Sequence, residues 1–477
     1  MAAHLSRSIR SLPERVGHTT LVPLILILAV GLGLRAYRVV EPLGTPGDDA
    51  HAYYGLSKAL YEEGTYGGPT FHDASDWSPG APLLYAASFY ATGGPREGTA
   101  RIVEALLGTA AILVVFLLGW QIGCRPAGLI AAATVAFYPP FIHSTGALYS
   151  EPPAIFTLPA AVLAFLWATG PPRQSPSEQS SRDQSSAGQS SPGGPPPPSS
   201  WRLLVPGLLF GLTALIRPEY LVVGLAFVAL AAIRVGQRSR WPRGLTAASI
   251  ALVALLAPIV PWTVHNAVTL HRLVPISTGD GKALYAGTFL PADGDYERVK
   301  SLLLERYKGI KLEPGSEALS RVDPRPLFDR VAARYPDMPR DSALGKIAKQ
   351  NFSKFFGEDP GGYLAMTARK AWRMWSAGIG EAMSVAGGRV IQVLFGLLGL
   401  AGLILLGRRR RWWELWAMAT PILLITIVGA LSLATPRRNE ILMTLVFPLA
   451  GVALSRAGAA ISSTRLWPHR PQSSPLS

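Results

Sequence analysis

The chain is predicted to be an all-α polytopic membrane protein, and three observations predict it. Of its 477 residues 49% are hydrophobic and only 16% charged, which lies outside the usual range for a soluble chain. It offers about ten apolar windows approaching the roughly 20 residues that span a bilayer. Its excess of cations, 45 Lys+Arg against 30 Asp+Glu, falls in short clusters between those windows. A nucleic-acid binder would spread that charge over a polar surface, so the clusters are read as topology and no nucleic-acid partner is expected.

The first window lies in "SRSIRSLPERVGHTTLVPLILILAVGLGLRAYRVV". A basic leader before an apolar core is also the pattern of a secretory signal, but no small-x-small site follows, so a retained span is expected. Arg35 and Arg38 would snorkel to headgroups and Tyr37 would sit at the interface. The later windows centre on Arg101–Gly123, Ala127–Phe141, Pro152–Ala168, Leu203–Ile216, Tyr220–Ile233, Leu245–Trp262, Val390–Leu406, Trp412–Leu431 and Ile441–Leu454. The run "SPGAPLLYAASFYATGG" is too short and too Gly/Pro-bounded to span, and reads as re-entrant or interfacial.

Orientation follows from basic residues at the window ends. A cytoplasmic N-terminus puts Arg7, Arg10, Arg15, Arg125, Arg234, Arg238, Arg240, Arg243, Arg408–Arg411, Arg456 and Arg465 on the cytoplasmic side. The resulting organisation is a cytoplasmic N-terminus (1–18), a transmembrane module (19–262), an extracytoplasmic segment (263–387), C-terminal spans (388–457) and a cytoplasmic tail (458–477). Within the module lie a first outer loop (41–100) and a linker (171–200) rich in Pro, Ser, Gln and Gly, whose composition offers no core. In the outer segment "GGYLAMTARKAWRMWSAG" has helical periodicity, with Leu364, Ala368, Ala371 and Trp375 on one face and Arg369, Lys370 and Arg373 on another, as in an interfacial helix.

Adjacent acids, Asp48 and Asp49, open "DDAHAYYGLSKALYEEG" beside the first span. They would cap an amphipathic helix, and at a partly dehydrated interface they would also serve as a general base or hold a divalent ion. Glu151 precedes Pro152 and Pro153, good first-turn residues, and is a second acid returning to the outer side. Arg101, Arg217, Arg272, Lys282, Arg437 and Arg438 are the outer cations available to a phosphate; Arg217 and the Arg437–Arg438 pair stand in tight turns. His72 and Tyr54 are further substrate-contact candidates. The histidines lack HExxH spacing, and the single Cys124 leaves no cysteine metal site. A divalent ion at Asp48 and Asp49 is the one cofactor these residues would hold.

In order, "GDDAHAYYGLSKALYEEGTYG", "SPGAPLLYA", "YPPFIHSTGALYSEPPAIF", "GLTALIRPEY" and "PWTVHNAVTLHRLVPISTGDGKALYAG" resemble the bacterial glycosyltransferases of family 39 and the lipid-A aminoarabinose-transferase type. The resemblance runs to about Gly287 and resumes over the last two spans; Pro291–Asp359 lies outside it. It implies the C-type glycosyltransferase architecture, with about ten transmembrane helices plus interfacial helices, in a bacterial cytoplasmic membrane with the active site extracytoplasmic. A polyprenyl-phosphate sugar would be the donor and a lipid, glycan or protein hydroxyl the acceptor. By the same resemblance Asp48 is the catalytic carboxylate of an inverting transfer, Asp49 its partner, and Glu151 the second-loop acid. Relatives often carry a basic residue before the proline-rich element, where this chain reads Trp77, Ser78 and Pro79; Arg101 or Arg437 is the expected substitute. Two other classes fit a polytopic, cation-lined chain: a transporter or flippase for a lipid-linked or anionic substrate, and a non-catalytic assembly partner. The transporter reading would gain from inverted repeats with interrupted helices, and none is evident.

Overall fold

A computed structural model of the chain describes residues 18–41, 48–67, 74–170 and 200–465. Every regular element among them is helical. In chain order the longer helices are α1 (His18–Val40), α2 (Asp48–Glu62), α3 (Gly80–Thr92), α4 (Glu97–Ile122), α5 (Arg125–Phe137), α6 (Glu151–Thr169), α7 (Leu204–Ile216), α8 (Leu221–Arg238), α9 (Trp241–Leu256) and α10 (Ile259–Leu270). After them come α11 (Asp280–Thr288), α12 (Tyr296–Lys308), α13 (Arg325–Ala332), α14 (Arg340–Glu358), α15 (Pro360–Ser376), α16 (Ala386–Arg408), α17 (Trp412–Leu431) and α18 (Pro436–Arg465).

All ten windows of the sequence lie on helices. Among the described residues, seven helices are long and apolar enough to cross a bilayer, or eight with α9 and α10 taken as one span bent by 49°. The bend falls at Pro258, which supplies no N–H to continue the ladder. Two windows belong to shorter apolar helices, α5 and the run Ser200–Ile216. The Gly/Pro-bounded run is α3, which packs on α2 and α4. The linker 171–199 lies outside the described residues.

The last helix, α18, is the axis of the bundle: Ile441, Leu442, Met443, Leu445 and Leu449 are fully buried. Small residues let its neighbours approach at backbone distance, as lipid-embedded packing requires. A Cβ on Gly402 of α16 would stand 2.3 Å from the Leu449 carbonyl, and one on Gly451 would stand 2.3 Å from that of Ala127.

Arg35 departs from the expected snorkelling. It is fully buried, donating to the Gly31 carbonyl at 3.0 Å and the Val135 carbonyl at 3.2 Å. Gly108 on the facing helix leaves the space that its guanidinium fills. Internal carbonyls therefore replace the headgroups as its partners.

At one end of the bundle basic residues meet helix C-termini. Arg411 donates to the Ile122 carbonyl at 2.6 Å, Arg238 donates to that of Thr169 at 2.7 Å, and Arg234 lies over the Trp413 ring. This placement suits the negative ends of the helix dipoles. Cys124 is at the same end, half-buried, with its Sγ 3.7 Å from Ser455 Oγ. At the opposite end α11 to α14 pack around a core of their own that includes Tyr285, Val299, Leu304, Phe328, Val331, Leu344 and Ile347. That segment is a helical cap, more than the interfacial helices read from the sequence. In α15, Leu364 and Ala368 are exposed as expected of an interfacial face, but Lys370 is not on the polar side. It is buried and donates to the Gly287 carbonyl at 2.8 Å.

Candidate active site

Four helix N-termini converge at the capped end, and each delivers charged side chains. Asp49 comes from the first turn of α2, Glu151 opens α6, Glu219 lies in the turn before α8, and Arg437 and Arg438 stand in the first turn of α18. The acids suit the positive ends of their helix dipoles, whereas two arginines at a helix start oppose theirs. That opposition is offset only because the acids are drawn to them.

Arg437 is the hub. Its Nε and Nη2 donate to Glu151 Oε1 at 2.6 Å and Oε2 at 3.0 Å, a bidentate fork, while Nη1 donates to Asp49 Oδ2. Its guanidinium also lies over the Tyr149 ring at 4.7 Å. Glu151 is 1% exposed and receives a second cation, Arg217 Nη1, at 3.0 Å. Arg217 turns its Nε and Nη2 to Glu219 Oε1, each at 3.1 Å, and its Nη1 lies 3.2 Å from Ser150 Oγ. Arg438 ends the series, 3.7 Å from Glu219 Oε1 and donating to Ser432 Oγ at 2.9 Å. Tyr53 is buried against this network and hydrogen-bonded to the Ser150 side chain; burial raises its phenol, which therefore stays protonated.

The loop carrying Tyr149, Ser150 and Glu151 is held from below by Glu104, which is fully buried in α4. Its Oε2 accepts from the Gly146 N–H at 2.7 Å and the Leu148 N–H at 3.4 Å. The Tyr85 hydroxyl lies within hydrogen-bond distance of both Glu104 Oε1, at 2.5 Å, and the Tyr149 carbonyl, at 2.7 Å. Leu148 has a φ of 57°, a left-handed backbone that costs a side-chain-bearing residue about 1–2 kcal/mol. The buried acceptor stabilises it.

Of the residues singled out in the sequence, Asp49, Glu151, Arg217, Arg437 and Arg438 thus meet. Asp48 is the first residue of α2, and its side chain and all of His72 lie outside what is described. Arg101 pairs with Glu97 at 2.6 Å, and Tyr54 donates to the Pro95 carbonyl at 2.8 Å; neither joins the cluster. Lys282 is half-buried in the first turn of α11, and Arg272 donates to Ser342 in the cap. Glu219, Tyr53, Ser150 and Glu104 were not singled out. Glu219 was legible two positions after Arg217 in the same turn, and Glu104 as a lone acid inside an apolar span.

The Asp48 side chain, half of the pair read from the sequence as a possible metal site, lies outside what is described. No group of three His, Cys, Asp or Glu is arranged to hold one among the described residues, and both Asp49 and Glu151 are turned to guanidinium groups.

No protein-family model and no curated protein matches the chain. Solved structures do. The archaeal oligosaccharyltransferase AglB from Archaeoglobus fulgidus, in complex with an inhibitory peptide and a dolichol-phosphate, is similar at a TM-score of 0.50 and 15% identity, over 95% of this chain and 52% of that one. The same organism's oligosaccharyltransferase tethered to an acceptor peptide with the NVT sequon gives 0.47 and 14%, over 94% and 50%. The chain thus spans about half the length of the structures it matches. At this identity the likeness is one of fold, the C-type glycosyltransferase architecture.

Proposed function

We propose that the chain is a membrane glycosyltransferase of the family 39 and aminoarabinose-transferase type, taking its sugar from a polyprenyl-phosphate donor. The observation that carries this reading is the cluster of acids and arginines at one end of a C-type glycosyltransferase bundle. A polyprenyl tail lies along apolar helices, its phosphate meets Arg437, Arg438 and Arg217, and the sugar stands before the acids of α2. The neighbour's dolichol-phosphate is a lipid carrier of the same chemical kind. With the basic helix ends in the cytoplasm, the site faces the extracytoplasmic side of a bacterial inner membrane. Residues 19–262 and 388–457 then form the membrane module, and 263–387 the outer cap.

In the transfer, an acceptor hydroxyl of a lipid, glycan or protein attacks the anomeric carbon from the face opposite the phosphate. The new C–O bond forms as the bond from that carbon to the phosphate oxygen breaks. The oxygen leaves with the bonding pair, as polyprenyl phosphate held by the arginines, and the hydroxyl proton passes to an aspartate, Asp48 with Asp49 as partner. Inversion at the anomeric carbon follows from a single displacement.

The test is transfer from a labelled polyprenyl-phosphate sugar by the purified chain in lipid, scored by released polyprenyl phosphate. Asp48→Asn should insert normally and lose about a hundredfold or more in turnover, the usual scale for removing a positioned base. Near-normal turnover would remove Asp48 from that role, and a wild-type chain that moves the intact lipid across the bilayer without cleaving it would turn the reading to a flippase.

A further inference from the structure

The cluster's ion pairs are matched: the carboxylates of Asp49, Glu151 and Glu219 pair with the guanidinium groups of Arg217, Arg437 and Arg438, and two further acids, Glu440 beside Arg437 and Arg217 and Asp280 beside Arg438, lie near the same arginines. An anionic phosphate would enter a site whose arginines already have carboxylate partners, so every cation proposed to receive it is already engaged. Something must yield, and the geometry says which group. Glu151 is 1% exposed, held in a bidentate fork by one arginine and contacted by a second. Among the described residues Asp49 is ion-paired once, to Nη1 of Arg437, and the Asp49 and Arg437 side chains are each 34% exposed. The Asp49–Arg437 pair is therefore more exposed than the Glu151–Arg437 pair.

We infer that the donor enters by exchange: its phosphate takes Nη1 of Arg437 from Asp49, so that the Asp49–Arg437 contact is a self-inhibitory pair. This rests on the function proposed above. Glu151 and Arg217 stay in place and hold the guanidinium plane fixed, so the phosphate meets a pre-oriented fork. The exchange adds the phosphate's negative charge to the site and leaves Asp49 released beside Asp48, the proposed proton acceptor. The released Asp49 thus partners Asp48 only once the sugar is in place.

The exchange predicts an effect of unusual sign. Removing the carboxylate that competes for Arg437 should tighten the binding of phosphate, while removing Arg437 should weaken it. Polyprenyl phosphate, which carries no sugar, is the probe, titrated into the full-length chain in nanodiscs. Asp49→Asn should bind it about fivefold more tightly than the wild type, the equivalent of a partly exposed ion pair of about 1 kcal/mol, and Arg437→Gln more weakly. In the wild type, carbodiimide-driven amide labelling of Asp49, read by peptide mass spectrometry, should rise as polyprenyl phosphate is added. Equal or weaker binding by Asp49→Asn, or labelling that stays level or falls, overturns the exchange. Should Asp49→Asn not fold, the labelling alone decides. Absence of polyprenyl phosphate binding to the wild type would instead overturn the donor reading itself.

Discussion

At the scale of single residues, burial separates groups that composition treats alike. Arg35, Arg437 and Lys370 are all cations in or beside apolar helices, yet they meet backbone carbonyls, carboxylates and a lone carbonyl respectively. Lys370 is the exposed-face residue of the sequence reading that turned inward, because α15 packs with Tyr363, Met366 and Met374 on the same side. Burial, with Arg373 and Arg438 nearby and Asp293 opposing them, pushes its ammonium down to about 7. The unfolded chain keeps an ordinary lysine near 10.4, so between about pH 7 and about pH 10 the unfolded state binds the extra proton. Stability gained from this site therefore rises with pH through that window and is lost as pH falls toward 7. Thermal unfolding in detergent at pH 7.5 and pH 9.5 should show a rise in the wild type that Lys370→Met lacks, at most ~1.4 kcal/mol per pH unit. Equal slopes in the two chains would discount the lysine.

At the scale of elements, the helices were legible and their breaks less so. Apolar windows of near-spanning length carry their own signal, since lipid demands internally bonded backbone. The bend at Pro258 and the turn at Arg217 divide runs whose composition is continuous, and the cap around Phe328 and Leu344 is built from short helices whose partners are distant in sequence. The acids at helix starts could be placed in the chain, but their convergence on one arginine could not, because it depends on packing between helices hundreds of residues apart. Glu104 shows what such packing supports: one buried carboxylate in α4 fixes the loop that aims Tyr149 and Glu151 at Arg437. Glu104→Ala should leave the Gly146 and Leu148 N–H groups unpaired and cost roughly 1–3 kcal/mol for each fully buried donor. The thermal midpoint should fall, and cleavage by a protease should appear within 144–150. A variant with wild-type midpoint and intact loop would show that the loop is held by other contacts.

At the scale of the whole molecule, the structure separates its two ends by chemistry. One end gathers acids and arginines beneath a helical cap, and the other gathers arginines on helix C-termini. Composition foresaw the second, because basic loops are local in sequence, and left the first to be assembled by the fold. The half-buried thiol of Cys124 lies at the arginine-rich end, and it is the chain's one cysteine. It is in effect a built-in compass needle: a single chemical mark at one pole, with no second mark to confuse it. A membrane-impermeant maleimide should label inverted vesicles and leave intact spheroplasts unlabelled, with detergent-opened cells as the positive control. The opposite pattern would turn the acid–arginine pole toward the cytoplasm, where soluble nucleotide sugars are at hand and a membrane-tethered sugar is no longer the only supply.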